Sequence, residues 1–233
     1  MKLSRGRIII FSLSILTFIA IIVGIATRSS YINDIDISLL SSNSEKLYVG
    51  IEDIQDKYFT TDIITLDDLL ENSDYVVKIK RTNEIQIMER CLLTKCEVKK
   101  VYKTKDTDKI HDYIYIYEPA TFSVQYNLFM TTGGYNFMNS QHEYIVFLKD
   151  LKIPDGYKAS TIEENSFMFT NPQLSLFNCS QKNTTILIDE SKYREGSITY
   201  NMIKDYDIVF IYEEEKQIYD KIREQVISRY NSL

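Results

Sequence analysis

The sequence predicts an α+β chain, mainly antiparallel β, with an N-terminal transmembrane helix, a small β-barrel domain and a C-terminal docking helix. Three observations carry this. Residues 8–26 (IIIFSLSILTFIAIIVGIA) run 19 residues without a charge. Between residues 47 and 212 short segments alternate apolar and polar side chains at the period of strands. Residues 213–230 carry an apolar stripe at helical spacing.

At about 1.5 Å per residue the first run makes a helix of roughly 28 Å, close to the hydrocarbon thickness of a bilayer. Ser12, Ser14 and Thr17 fit such a helix, because their hydroxyls can bond back to helix carbonyls. Lys2, Arg5 and Arg7 precede the run and only Arg28 follows it closely. Cytoplasmic flanks carry the excess of Lys and Arg, so residues 1–7 read as a cytoplasmic tail, with the C-terminal domain outside. Two readings stand: an uncleaved single-pass anchor in the cell membrane, or a signal sequence cut after Ala26, which would leave the domain secreted. The length of the run favours the anchor.

The formal net charge is −6. The first 28 residues contribute four cations and no acid, which leaves −10 for the other 205. That balance argues against nucleic acid as a partner, since phosphate backbones demand a basic face, and against simple adhesion to anionic lipid. The cysteines are Cys91, Cys96 and Cys179. On one regular strand Cys91 and Cys96 face opposite sides and cannot bond, whereas a turn over residues 92–95 would join them. A bridge to Cys179, or no bridge, is equally compatible with the spacing.

Residues 27–46, rich in Ser, Asn and Asp, read as a linker with room for a short helix at 35–40. A first strand is expected at 47–51. Residues 65–72 (TLDDLLEN) predict a short helix capped by Thr65, with Asp67 and Asp68 at the positive end of its dipole. In residues 74–81 (DYVVKIKR) Tyr75, Val77 and Ile79 share one face and Lys78 and Lys80 the other. Residues 96–102 (CEVKKVY) continue as a strand whose phase breaks at Lys99-Lys100, which predicts a bulge. Residues 111–117 (HDYIYIY) set Tyr113, Tyr115 and Tyr117 on one face and Ile114 and Ile116 on the other. Residues 119–139 read as loop around a Gly133-Gly134 turn. The unbroken apolar core of residues 143–149 (EYIVFLK) fits a strand covered on both sides. Further strands are expected at 166–170, 184–189 and 207–212. In the closing helix Ile218, Tyr219, Ile222, Val226 and Tyr230 form one stripe, and burying them would contribute roughly 1.5–3 kcal/mol each before entropy.

The segments CEVKKVYK (96–103), YIYIYEP (113–119), GGYNFM (133–138) and QHEYIVFLK (141–149) resemble a family of uncharacterised extracytoplasmic proteins of Gram-positive bacteria. In that family a strand ends in a V-Y-K-G turn, and a G-Y-N-P-M loop leads into a G-x-E-Y-L-L-F-L strand. Here Thr104, Phe137 and Gln141 stand where the family has glycine, proline and glycine. The resemblance implies an OB-like barrel over residues 47–212, similar to netrin and metalloprotease-inhibitor domains, followed by the amphipathic helix of 213–233.

No GxSxG elbow, HExxH motif or phosphate-cradling glycine loop is present. The two histidines, His111 and His142, and the cysteines show no spacing that supports a catalytic pair or a metal site. No cofactor is indicated. The suggestive surface is aromatic: Tyr113, Tyr115, Tyr117, Phe122, Tyr126, Phe129, Tyr135 and Phe137 fall within one strand and the loop after it. Aromatic side chains with polar tips are enriched at recognition surfaces, although the same residues can fill a core. The sequence therefore points to a non-enzymatic, membrane-anchored binding module outside the cell, taking a protein or a glycan. A cell-envelope hydrolase with an unidentified nucleophile and an extracytoplasmic protease inhibitor are the alternatives.

Overall fold

The computed structural model describes residues 14–24, 37–154, 156–180 and 184–230. The chain divides into two units, residues 1–39 and 40–233. In the first, residues 14–24 are helical, and Ile15, Leu16, Phe18, Ile19, Ile21, Ile22 and Val23 are exposed. Among the described residues no helix is long and apolar enough to cross a membrane. Residues 8–13 and 25–26 of the apolar run lie outside the described residues, so the expected span has no structural support over its full length.

Helix α1 (Ser38–Ser42), whose Leu40 is buried, precedes β1 (Tyr48–Glu52). Then α2 (Leu66–Asn72) starts at the expected cap. Thr65 accepts from the Asp68 backbone N–H, and the Asp68 carboxylate accepts from the Thr65 N–H, a reciprocal capping box. The strands that follow are β2 (Tyr75–Ile87), β3 (Leu92–Lys103), β4 (Tyr113–Glu118), β5 (Ala120–Ser123), β6 (Leu128–Thr132) and β7 (Glu143–Asp150). After α3 (Thr161–Glu164) come β8 (Ser166–Phe169), β9 (Leu176–Asn178) and β10 (Thr185–Leu187). The chain ends with α4 (Glu190–Arg194), α5 (Tyr200–Ile203), β11 (Ile208–Phe210) and α6 (Glu213–Tyr230).

Five strands close into a barrel in the order β2-β3-β4-β8-β7, with β7 pairing back onto β2. Only β4 and β8 run parallel; the other four contacts are antiparallel. Closure leaves the ring without an open edge. Register assigns the faces. Tyr75, Val77 and Ile79 of β2 turn inward with Cys96 of β3 and Ile114 and Ile116 of β4, and all are buried. Lys78 and Lys80 lie on the outside. The bulge falls where the broken phase put it: Lys78 pairs with Lys100 and Ile79 with Val98, so Lys99 is the extra residue.

Residues 119–139 differ from the expected loop. They hold the hairpin β5–β6, and β6 also pairs in parallel with β1. The cross-strand pair Phe122–Phe129 turns into the core, where Phe129 packs against Phe137 and Tyr200 at ring distances of 5.5 and 4.6 Å. Turn residues Gly133 and Gly134 both take positive φ. The helix α6 lays Tyr219, Ile222, Val226 and Tyr230 onto the barrel side. Phe177 of β9 stacks on Tyr219 at 5.3 Å, and the Tyr219 hydroxyl donates to the Leu176 carbonyl.

Candidate functional site

The eight aromatic residues singled out from the sequence separate into two groups. Phe122, Phe129, Tyr135 and Phe137 are buried and belong to the core, so they form no surface. The alternation of the β5–β6 hairpin takes the first two inward, and the chain after Gly134 takes the other two. Tyr126 sits at the β5–β6 turn and is 73% exposed, away from β4 in sequence and sheet. Tyr113, Tyr115 and Tyr117 remain together on the outer face of β4. Tyr113 is exposed, and Tyr115 and Tyr117 are half-buried. Register places Glu97, Lys95 and Leu93 of β3 opposite them. The Lys95 ammonium lies 4.8 Å from the Tyr113 ring centre and pairs with Glu84 at 2.9 Å. This ladder is the part of the aromatic set that lines up on one outer sheet face, and Tyr126 is exposed apart from it.

Sequence reasoning missed the polar framework behind the ladder. The Ile114–Ile116 face of β4 continues to Glu118, which is fully buried. Three donors satisfy its carboxyl group: the Thr94 hydroxyl, the Tyr135 hydroxyl at 2.7 Å and the Met138 backbone N–H at 2.9 Å. A buried acid is tolerated only when its oxygens are satisfied in this way. Arg81, also on the inner face, donates to the Met138 carbonyl. Burial, with Glu118 beside them, drives the Tyr135 hydroxyl and the Cys96 thiol well above their ordinary pKa values; Arg81 opposes this at Cys96. Extending the Ile114, Ile116 alternation by one step would have found Glu118 on the inner face.

A second acid anchors the other side of the same loop. The Asp207 carboxylate accepts from the Tyr144 hydroxyl and from Asn178 Nδ2, each at 3.0 Å. Asn178 Nδ2 also lies 3.0 Å from His142 Nδ1, and its Oδ1 accepts from the Ser180 N–H. The Tyr144 hydroxyl in turn accepts from the Asn139 N–H at 2.8 Å. Between the two acids, Asn136 donates its side-chain amide to the Ile203 and Tyr206 carbonyls and its N–H to the Asp207 carbonyl. The GGYNFM segment is thus pinned from Glu118 on one flank to Asp207 on the other.

Burial pushes the Asp207 carboxyl above its usual range, against the Asn178 and Tyr144 hydrogen bonds and the nearby His142 and Arg223. Folding therefore favours its protonated form. That contribution is complete below about pH 4, where an unfolded aspartate holds its proton, and is lost as pH rises through the folded-state value. Asp207→Asn should remove this arm. Stability in urea should fall by about 1–3 kcal/mol at neutral pH, because an amide now faces a donor, and its slope between about pH 4 and pH 7 should become more positive than in the parent.

The cysteines are free in the structure: Cys96 is buried inside the barrel, and Cys91 and Cys179 are half-buried. Burial pushes the Cys91 thiol up to about 11 and raises that of Cys179, the opposite of an activated nucleophile. Cys179 follows Asn178 in the chain, but its sulfur turns to the Phe177 carbonyl at 3.8 Å, whereas the Asn178 amide meets the His142 imidazole. Among the described residues no three His, Cys, Asp or Glu side chains converge to hold a metal ion. Two shallow depressions open on the surface. One, of about 620 Å³, lies between α2 and α6. The other, of about 270 Å³, lies beside the Arg90–Glu52 ion pair and Thr121.

No family model and no curated protein matches this chain.

Proposed function

We propose that the chain is a membrane-tethered, extracytoplasmic binding module whose OB-like barrel presents the Tyr113–Tyr115–Tyr117 ladder to a protein or glycan. The observation that carries this reading is the ladder itself: three tyrosines in line on the outer face of β4, bordered by Lys95 and Glu97 of β3. In OB-type barrels the outer face of the second and third strands is a habitual binding surface, and β3 and β4 are the second and third strands of this ring. The single parallel pair closing the ring, β4 with β8, supports the OB-like reading. Tyrosine offers apolar area and a polar tip at low entropic cost, which suits sugars and peptide surfaces alike. The tether reading draws on the uncharged run of residues 8–26, its basic N-terminal flank and the exposed apolar side chains of residues 14–24.

The test is retention on isolated cell envelopes. Tyr113→Ala with Tyr115→Ala should reduce retention of residues 40–233 at least tenfold while leaving the urea midpoint within about 1 kcal/mol of the parent, as expected of partly exposed side chains. Unchanged retention would remove the ladder from the binding surface.

A further inference from the structure

The ladder tyrosines differ from the interior ones in what their hydroxyls do. Tyr75, Tyr135 and Tyr144 donate to the Asp150, Glu118 and Asp207 carboxylates, and Tyr219 donates to the Leu176 carbonyl. The hydroxyls of Tyr113, Tyr115 and Tyr117 meet no hydrogen-bond partner among the described residues, and none of them is shut away from solvent. Each tip keeps a donor and an acceptor for a ligand.

The row is long and narrow. Two-residue alternation spaces neighbouring rings by roughly 7 Å, so Tyr113 and Tyr117 stand roughly 13 Å apart. On the β3 side the charged heads are already engaged, Lys95 with Glu84 at 2.9 Å and Glu97 with Lys99 at 2.6 Å. On the β8 side Ser166, opposite Tyr115, is buried and donates to the Ile162 carbonyl. Tyr113 is 47% exposed and the other two less, so together they show no more than about 300 Å². A standard protein interface takes about 800 Å² per partner around an apolar centre. A strip one side chain wide suits a linear polymer instead.

Charge narrows the class further. The carboxylates of Glu84 and Glu97 edge one side of the strip. Glu163, which accepts from the Tyr157 hydroxyl at 2.7 Å, stands at its Tyr117 end. Burial and then the Glu163 charge raise the Tyr117 pKa, so its tip keeps its proton. An anionic polymer would meet three acids here, whereas a neutral polyol meets acceptors for its hydroxyls. The negative faces of the rings attract the polarised C–H groups of a sugar.

We propose that the ladder takes a neutral glycan chain lying along β4, its sugar rings stacked on the tyrosines and its hydroxyls bonded to the tyrosine tips and the Glu163 carboxylate. This names the ligand class of the binding-module reading and rests on that reading.

The experiment is retention of residues 40–233, a compact unit with its own closed barrel, on isolated cell envelopes. The envelopes are used untreated, or digested with proteinase K and extracted of lipid. Retention should be equal on both and should be competed by peptide-free glycan fragments released from the stripped envelopes. Raising salt from about 0.05 to 0.5 M should leave it unchanged, because contacts between neutral groups are not screened. Tyr115→Phe keeps the ring and removes one tip, so it should weaken retention roughly fivefold without disturbing the fold. Tyr126→Ala, at an exposed tyrosine off the strip, should change nothing. Loss of retention after proteinase treatment would make the ligand a protein and overturn the glycan proposal while leaving a binding module. So would failure of the fragments to compete, a large drop with salt, or parental retention in Tyr115→Phe. No retention on untreated envelopes would end the binding-module reading itself.

Discussion

Glu118→Ala should cost about 4 kcal/mol or more, read as the shift of the urea unfolding midpoint. The substitution leaves the Thr94 hydroxyl, the Tyr135 hydroxyl and the Met138 N–H without an acceptor in the barrel interior. Each orphaned donor costs roughly 1–3 kcal/mol, and the missing carboxyethyl group adds a cavity. A domain of this size has only about 5–15 kcal/mol in total. Thr94→Val separates the causes. It removes one donor and leaves the other two satisfied, so its cost should be about 1 kcal/mol. If Glu118→Ala cost no more than Thr94→Val, Glu118 would not be the acceptor that holds all three donors.

Gly134→Ala should prevent the domain from folding at 37 °C. Its φ is +75°, and a Cβ added there would lie 1.9 Å from the Val209 carbonyl oxygen. That contact is with backbone, so no side chain can swing away. The Val209 N–H donates to the Gly134 carbonyl at 2.8 Å, and Tyr135 bridges Ile208, so moving the loop tears it from β11. Gly156→Ala is the control. It shares a positive φ of +80° but meets nothing within 4 Å, so it isolates the backbone strain of roughly 1–2 kcal/mol. Amide dispersion in a proton NMR spectrum distinguishes the two: preserved for Gly156→Ala, collapsed for Gly134→Ala.

These two positions also show what the sequence could reveal. The Gly133-Gly134 pair announced a turn through local chemistry. What makes Gly134 obligatory is β11, some 75 residues further on, and no local pattern carries that contact. Strands whose two faces meet different surroundings were legible: β2 through its Val77–Lys78–Ile79 alternation, and the β3 bulge through the phase break at Lys99. The capped α2 and the striped α6 were legible for the same reason, since their signals lie within a turn or two of one another. The hairpin β5–β6 was not. Phe122 and Phe129 alternate over only four or five residues each, and their partner β1 lies far upstream. The buried acids were harder still. Asp207 reads as an ordinary strand boundary until Tyr144 and Asn178 are brought to it by separate strands. The aromatic set failed as a group because proximity in sequence does not assign a face; register does. It turned Phe122 and Phe129 inward and left Tyr113, Tyr115 and Tyr117 outside.

The outward tyrosine ladder is the surface on which the proposed binding depends. The measurement is photo-cross-linking in intact cells from a benzophenone side chain at position 115, with position 192 on α4 as the exposed control. A discrete higher-mass adduct with an envelope component is expected from position 115. Excess soluble domain should compete it away, and position 192 should give none. No adduct from position 115, or the same adducts from both positions, would contradict a binding module that works through the β4 face.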